Sequence, residues 1–283
     1  MFKYLKQTDK LTGKAISANH FSRAAKKLEE KFPVTTEQRS LLAYGAVLPI
    51  QNGESARILH IKASTDEVKD MLEYNWGIKG RAEALPIIDV LARAANHTEF
   101  ADDIFNVYVK NANLGPLHEK DVQGNKGLAN AFNSIAKGNF DIKQLPKNMP
   151  KEAKASFFGL VEMELAARAN LGLRAFKSAR DTLLEVGMTD EELSTVHSTA
   201  AWDLGCAASI ARYCAYMDYI TEDEAWEFMR TVAKNAAPLY KNRREWIAGY
   251  VIGRALGYGD DSKSEQSVLD FLLNDDRTLF NCA

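Results

Sequence analysis

Residues 200–213 read AAWDLGCAASIARY, a run of small and apolar residues that decides how this chain is expected to fold. Within the helix predicted over 190–217, small residues recur every four positions: Ala201, Gly205 and Ser209. The helix predicted over 243–257 carries a matching stripe: Gly249, Gly253 and Gly257. Residues four apart share one helix face, and small side chains let another backbone approach closely. The two stripes therefore predict that these helices pack together in the core.

Capping boxes mark where other helices begin. In this motif Ser or Thr is followed three residues later by Glu, and the two side chains satisfy free backbone N–H groups of the first turn. The chain contains Ser64–Glu67, Thr189–Glu192, Thr221–Glu224 and Ser262–Glu265, with Asn242–Glu245 as a variant that has an Asn cap. Apolar spacing and these caps predict helices over 17–31, 36–48, 65–76, 81–96, 99–110, 125–137, 151–170, 173–186, 190–217, 222–240, 243–257 and 263–274.

Strand-type alternation is nearly absent, so the sequence predicts an all-α protein with a single multi-helix globular domain. The segment 56–63 is the one place where at most a short β element is expected. Residues 1–40 are predicted to form an N-terminal helical extension, and residues 41–283 the main helical domain. Gly, Pro and Asn accumulate over 111–150, which predicts a long irregular connection within that domain.

Charge and composition argue against several classes of protein. A net charge of −2 and a pI near 6.3 leave no basic excess to neutralise phosphates, which argues against nucleic-acid binding. No run of about 18 apolar residues is present, which argues against a membrane protein. The N-terminus is too polar for a signal peptide, so a cytoplasmic location is expected, with leaderless secretion left open. The three cysteines form no CxxC pair and suit a reducing compartment: Cys206, Cys214 and Cys282.

Several segments around the opening stretch resemble a known family. They are AWDLG at 201–205, IARY at 210–213, YITEDEAWEFM at 219–229, EWIAGYVIGRAL at 245–256 and, further upstream, WGIKGRAEALPIIDVLARAANH at 76–97. These segments fall in two blocks, 65–97 and 190–257, that are similar to the bacterial domain of unknown function 1266 family. The resemblance extends from about Leu41 to Gly257, and Cys206 stands where relatives often carry Arg. It implies a bacterial source and carries over no established activity.

Two charges stand alone in the small, apolar neighbourhood of the stripes: Asp203 and Arg254. A buried charge is costly unless it is paired, so we expect Asp203 to pair with Arg254 or Arg212 across the helix interface. Such a pair is either an internal contact that fixes packing, which the sequence favours, or the floor of a pocket that binds a polar ligand. The candidate polar cluster comprises His197, Trp202, Asp203, Arg212, Glu224 and Arg254.

Motifs of catalysis and metal binding are missing from the sequence. The histidines are scattered, without HExxH or a repeated ExxH motif: His20, His60, His97, His118 and His197. Cys206 and Cys214 lie in the middle of a predicted helix, without a feature that lowers a thiol pKa. GxSxG and phosphate-binding glycine loops are also missing. No metal, cofactor or catalytic residue is therefore predicted.

Two classes of function remain. The sequence favours a non-enzymatic interaction or accessory protein whose partner is another protein, for example an immunity-like factor of a bacterial toxin or secretion locus. The alternative is a secreted effector or enzyme with a polar inter-helix pocket around Asp203 and Arg254. Convergence of the candidate residues on one pocket would support the enzyme, and an exposed apolar surface would support the interaction protein. Nothing in the sequence predicts an oligomeric state.

Overall fold

The structure is a computed structural model that describes residues 21–94, 174–258 and 266–274, together with six single residues at 16, 19, 102, 150, 152 and 172. Every regular element within these residues is helical, so the chain is an all-α protein with one multi-helix globular domain, as predicted. The helices are α1 (Arg23–Lys31), α2 (Thr36–Tyr44), α3 (Val47–Gln51), α4 (Thr65–Trp76), α5 (Arg81–Ala92), α6 (174–185), α7 (Asp190–Thr195), α8 (Ala201–Tyr216), α9 (Glu222–Ala236), α10 (Arg243–Tyr258) and α11 (Gln266–Asn274).

Side-chain caps determine where several of these helices start. Reciprocal capping boxes are formed at Ser64–Glu67, Thr189–Glu192 and Thr221–Glu224, as predicted. The Asn242 side chain accepts a hydrogen bond from the Glu245 N–H at 2.9 Å, which confirms the Asn cap. A further box at Thr35–Gln38 was not predicted, and the box predicted at Ser262–Glu265 lies outside the described residues. These caps explain why the predicted start of α4, α9 and α10 is correct.

Helix α8 lies at the centre of the domain. Fourteen of its 16 residues are buried, and it packs against α2, α5, α9 and α10. Its small residues permit this, because Ala and Gly leave room for neighbours on every side. Cys206 and Cys214 are buried within it and form no disulfide, as expected for core residues, and burial raises the pKa of the Cys214 thiol to about 12.

The two predicted stripes do bring α8 and α10 together, although not at every residue. A Cβ on Gly205 would lie 2.8 Å from the ring of Tyr250 in α10, so only glycine permits this approach. Ser209 instead faces the end of α2, where its hydroxyl donates to the Gly45 carbonyl at 3.0 Å. Gly257 is exposed, with open space where a Cβ would stand. The predicted stripe on α10 is therefore correct in its first two glycines only.

The single helix predicted over 190–217 is wrong, because the chain forms two helices, α7 and α8, with an irregular segment between them. Val196 follows α7 with extended backbone (φ −70°, ψ 124°). The hydroxyls of the following Ser198 and Thr199 offer the backbone local partners that compete with a continuous helix. The Ser198 hydroxyl accepts from the Ala200 N–H at 3.2 Å, just before α8 begins. The sequence did not predict this interruption, because the apolar residues keep helical spacing across it.

Segment 56–63 forms no strand in the described structure, although a short β element was allowed there. It is an irregular loop between α3 and α4. Ala56, Ile58 and Ile61 are nevertheless fully buried in it. The loop therefore needs hydrogen-bond partners other than a sheet for its backbone, since buried carbonyl groups are costly when left unpaired.

Several predictions lie outside the described residues: the helices over 99–110, 125–137 and 151–170, the irregular connection over 111–150, and Cys282. The division of the chain at residue 40 stays a prediction. Within the described residues, no helix combines the length and the apolar character that crossing a bilayer requires.

Candidate functional site

The six predicted site residues do not converge on one pocket. Trp202 and Asp203 lie in the first turn of α8, whereas Arg212 lies near its other end, nine residues from Asp203 and therefore about 13.5 Å away along the helix axis. His197 is exposed before α8, and Glu224 is in the first turn of α9. The helix α8 thus has two polar ends. The first is here called the Tyr240 end, after the side chain that contacts it, and the second the Arg212 end, after the buried arginine that α8 itself contributes.

At the Tyr240 end, Arg254 of α10 lies over the ring of Trp202, with 6.0 Å between the guanidinium carbon and the ring centroid. Both side chains are buried. The Trp202 ring also meets Tyr250 edge-on at 5.0 Å. Asp203 is half-buried, and its pairing with Arg254 stays a prediction.

The hydroxyl of Tyr240 closes the same end of the helix. It accepts a hydrogen bond from the Ala201 N–H at 2.8 Å and donates one to the Ser198 carbonyl at 2.9 Å. The Thr199 N–H donates to the Asp102 carboxylate at 2.8 Å. These bonds satisfy backbone groups that a helix start leaves free. Burial raises the pKa of Tyr240, so its hydroxyl remains protonated and can serve as both donor and acceptor.

The glycines of α10 let this end pack without gaps. A Cβ on Gly249 would lie 2.8 Å from the Ser198 carbonyl oxygen. A Cβ on Gly253 would lie within 3.0 Å of both the Thr199 carbonyl oxygen and the Trp202 Cβ. At these two glycines the described residues of α10 and of the segment that precedes α8 are in direct contact. The described residues at the Tyr240 end are therefore closely packed, and the choice between a packing contact and the floor of a pocket, which the sequence left open for this region, stays a prediction.

Glu224 is part of the capping box at the start of α9 and also forms an ion pair with Arg81. The Arg81 guanidinium donates to both of its carboxylate oxygens, at 2.8 and 2.6 Å. Its carboxylate also accepts from the Thr221 N–H at 2.8 Å. These bonds, with Arg81 the largest cause, lower the pKa of Glu224 to about 2. The Glu224 carboxylate therefore already binds Arg81 of α5 and caps the start of α9.

At the Arg212 end, a buried guanidinium binds the loop 54–63. The Arg212 side chain is 2% exposed. Its Nε donates to the Leu59 carbonyl at 3.0 Å, and its Nη2 donates to the carbonyls of Ser55 and His60, both at 2.8 Å. These bonds give the irregular loop the backbone partners that a strand would have supplied. Arg212 therefore takes its partners from the loop and not from Asp203.

Glu54 is the nearest carboxylate to Arg212, and sequence reasoning missed it. Its side chain is 7% exposed, yet its contacts are long: 4.0 Å to Nη2 of Arg212 and 3.5 Å from the Tyr213 hydroxyl. Burial outweighs both contacts and raises the pKa of Glu54. No sequence signal identifies this residue, because QNGES at 51–55 resembles an ordinary polar turn.

Two cavities lie on either side of the loop 54–63. The first, here called the Glu54 cavity, has a volume of about 420 Å³ and lies between α1 and the chain after α3; Glu54 and Lys62 are among its lining residues. The second, here called the aromatic cleft, has a volume of about 300 Å³ and is lined by Phe32, Leu59, His60, Tyr216 and Trp226, among others. Neither cavity is lined by any of the six predicted site residues.

Stacked rings form one wall of the aromatic cleft. The rings of Phe32 and His60 are nearly parallel, with centroids 4.0 Å apart, and His60 meets Tyr216 edge-on at 5.8 Å. The Tyr216 hydroxyl donates to the Ala63 carbonyl at 2.8 Å, which fixes its orientation. Burial lowers the pKa of His60, and the charges of Lys31 and Arg212 lower it further. The imidazole is therefore neutral at pH 7.

The described residues offer no obvious metal centre. No group of three or more His, Cys, Asp or Glu side chains within them is arranged to hold a metal ion. What the Arg212 end offers instead is a preformed surface, with aromatic rings on one side of the loop and a buried carboxylate on the other.

These features define an all-α globular protein built around one buried central helix. The chain belongs to the DUF1266 family of proteins of unknown function, whose profile matches residues 71–279, more than half of the chain. The predicted resemblance to this family is thereby confirmed, but the match begins after the loop 54–63, whereas the resemblance was expected to begin near Leu41. No curated protein and no solved structure matches the chain.

Proposed function

We propose that this protein is a non-enzymatic protein-interaction module that binds a short segment of a partner protein in the aromatic cleft. The observation that carries the proposal is the wall of Phe32, His60, Tyr216 and Trp226 around a cavity of about 300 Å³. Aromatic side chains are enriched where proteins bind one another, because they bury a large area at a small cost in conformational entropy.

The cleft is held in shape before any partner arrives. Leu59 and His60 supply part of its wall, and their carbonyls are bonded to the buried Arg212. Tyr216 is held through its bond to the Ala63 carbonyl. A preformed site loses less conformational entropy on binding than a site that must be ordered by its ligand. This rigidity supports binding of a peptide side chain.

Two charges at the cleft indicate which segment fits. Lys31 and Glu222 both line it and are exposed. Neither forms an ion pair within the part of the chain that the structure describes. A complementary segment has one large apolar side chain that enters the cleft, an acidic residue for Lys31 and a basic residue for Glu222. Such charges fix the direction of a bound segment and speed its association.

The test is a selection from a random peptide library, followed by binding measurements with fluorescence anisotropy. Selected peptides are expected to share an apolar residue flanked by one acidic and one basic residue. The double variant Lys31→Glu and Glu222→Lys exchanges the two charges and is expected to prefer peptides with the opposite order. The matched control exchanges Lys79 and Glu73, an exposed ion pair 3.1 Å apart that lines no part of the cleft. A selection without enrichment, or a charge exchange without effect, contradicts the proposal.

We further propose a bacterial cytoplasmic setting, in which the protein serves as an accessory or immunity-like factor of a toxin or secretion locus. The bacterial part is supported by the family resemblance, and the cytoplasmic part by Cys206 and Cys214, which are buried and form no disulfide. Fractionation of the native host tests it: recovery of the protein from the medium would contradict the cytoplasmic location. Co-purification with a toxin or secretion component encoded nearby is the expected result for the accessory role.

A further inference from the structure

The Glu54 cavity contains a carboxylate whose hydrogen-bonding capacity is largely unused. Buried carboxylates normally accept short, charge-assisted hydrogen bonds of about 2.7–2.9 Å. Both contacts of the Glu54 carboxylate, to Tyr213 at 3.5 Å and to Arg212 at 4.0 Å, are made by Oε2 and are longer than this. Its other oxygen, Oε1, accepts no hydrogen bond from any described residue. A side chain that is 7% exposed is thus left without a strong donor while it lines a cavity of about 420 Å³.

Arg212 does not neutralise this carboxylate at hydrogen-bond distance, because its donors are bonded elsewhere. Its Nε and Nη2 donate to three loop carbonyls. Its Nη1 is buried and has no hydrogen-bond partner among the described residues. Glu224 differs from Glu54 in this respect, because its more exposed carboxylate accepts two hydrogen bonds from Arg81 and one from a backbone N–H. Glu54 is the more buried of the two and has the weaker set of donors, so a donor from a ligand would satisfy it.

A positively charged side chain lines the same cavity. Lys62 lines the cavity and is exposed, and it forms no ion pair within the described residues. Apolar side chains also line the cavity, with Ile16, Leu28 and Ile50 among them. The volume lies near the lower end of the range for small-molecule sites, about 300–1,000 Å³. The cavity therefore combines a negative group, a positive group and an apolar surface in a space suited to a small molecule.

We infer that the Glu54 cavity binds a small zwitterion of the α-amino acid class that has an apolar side chain. The ligand ammonium donates to the carboxylate of Glu54, and its carboxylate lies against the ammonium of Lys62. Its side chain contacts Ile16, Leu28 and Ile50. The bound state leaves the net charge of the cavity unchanged, which limits the cost of bringing charges into a site of low polarity. This site is separate from the aromatic cleft, so either can exist without the other.

The inference is tested by isothermal titration calorimetry on the full chain at pH 7.5 with L-leucine and L-phenylalanine as probes. Two further probes each lack one charge: 3-methylbutylamine has only the ammonium, and 4-methylpentanoate has only the carboxylate. At least one amino acid is expected to bind, and each single-charge probe is expected to bind at least about tenfold more weakly, the loss that removal of one charged hydrogen bond produces.

Two variants identify the residues that hold the ligand. Glu54→Gln keeps the shape of the side chain and is expected to weaken amino-acid binding at least about tenfold. Lys62→Met is expected to weaken it less, because Lys62 is exposed and solvent screens its charge. Glu83→Gln is the matched control, an exposed carboxylate on α5 that lines neither cavity, and is expected to bind as the wild type does. Circular dichroism and thermal unfolding show whether each variant is folded.

Three results would overturn the inference. They are the absence of binding by all twenty amino acids at millimolar concentration, equal affinity for L-leucine and 4-methylpentanoate, and unchanged affinity in a folded Glu54→Gln variant. If Glu54→Gln does not fold, the single-charge probes and Lys62→Met still decide, since they need no change at the buried carboxylate. Loss of peptide binding in the charge-exchanged cleft variant bears only on the aromatic cleft.

Discussion

The two ends of α8 differ in how completely their polar groups are satisfied. At the Tyr240 end, one hydroxyl makes two bonds of 2.8 and 2.9 Å, and the glycines of α10 bring its backbone into direct contact. At the Arg212 end, a buried guanidinium holds a loop without regular structure, and Glu54 beside it has only contacts of 3.5 and 4.0 Å. Within the described residues, the first end is closely packed, whereas the second lies between two cavities.

From this difference we propose that one end of α8 serves packing and the other serves binding. The Tyr240 end uses buried polar groups to specify one arrangement of α8 and α10, and its described residues are in close contact. The Arg212 end uses a buried charge to shape a loop, and the loop supplies walls to both cavities. The family match covers Arg212 but begins after the loop. The surface that we propose for binding therefore combines a loop that precedes the matched region with side chains that lie within it, among them Tyr216 and Trp226.

The largest effect on stability is expected from Arg212→Met. The substitution removes three hydrogen bonds to loop carbonyls and the cation nearest to the buried Glu54. Removal of one partner of a buried pair typically costs about 3–5 kcal/mol of unfolding free energy. Urea denaturation measures this loss. The control Arg81→Met removes an exposed ion pair and is expected to change stability little. Equal losses in the two variants would show that Arg212 has no special role.

A smaller loss is expected from Gly253→Ala at the opposite end. The added methyl group would lie within 3.0 Å of the Thr199 carbonyl oxygen and the Trp202 Cβ, so α10 must move away. Overpacking of this kind typically costs about 1–3 kcal/mol. Gly257→Ala is the matched control on the same helix, because its methyl group meets open space, and replacing a helical Gly there is expected to be neutral or slightly stabilising. If Gly253→Ala is as stable as Gly257→Ala, the close contact is not present.

Tyr240→Phe tests the hydrogen bonds at this end without changing its shape. The variant leaves the Ala201 N–H and the Ser198 carbonyl without their partner in a buried site. The expected cost is about 1–2 kcal/mol, since a buried polar group that loses its partner retains its desolvation penalty. Chemical denaturation measures it. No loss of stability would mean that solvent reaches these groups and that the end is not closed.

The smallest effect is a pH dependence that originates at Glu54. Burial raises its folded-state pKa above the ordinary value of 4.5. The folded protein then binds more protons than the unfolded chain between pH 4.5 and the folded-state pKa. This contribution to stability is fully present below pH 4.5 and is lost as the pH rises through the folded-state pKa. The difference in unfolding free energy between wild type and Glu54→Gln should therefore fall with increasing pH.

Glu224→Gln provides the control of opposite sign. The pKa of Glu224 is lowered to about 2, so its contribution is present above pH 4.5 and is lost as the pH falls towards 2. The two variants should thus depart from the wild type in opposite directions as the pH changes. A Glu54 difference that stays constant, or that rises with pH, would contradict the burial of that carboxylate.

Local sequence signals predicted several helix starts and the contact between α8 and α10, but not the interruption between α7 and α8 or the surface that we propose for binding. The capping boxes at Ser64, Thr189 and Thr221 act within one turn, so they can be read without knowledge of the fold. The Gly249 and Gly253 stripe correctly indicated a close approach to α10. The partners of Arg212 were not predictable in this way, because they are backbone carbonyls more than 150 residues away. Glu54 escaped notice because its burial depends on that same distant contact.

The contrast between the two ends is tested most directly by hydrogen–deuterium exchange on wild type, Arg212→Met and Gly253→Ala. Arg212→Met is expected to increase amide exchange in peptides that cover the loop 54–63 and to leave segment 196–201 protected. Gly253→Ala is expected to increase exchange in segment 196–201 and to leave the loop 54–63 unchanged, because the added methyl group would clash with the carbonyl of Thr199. Equal increases at both segments in both variants would show that the two ends of α8 open as one unit, and would contradict the separation of packing from binding.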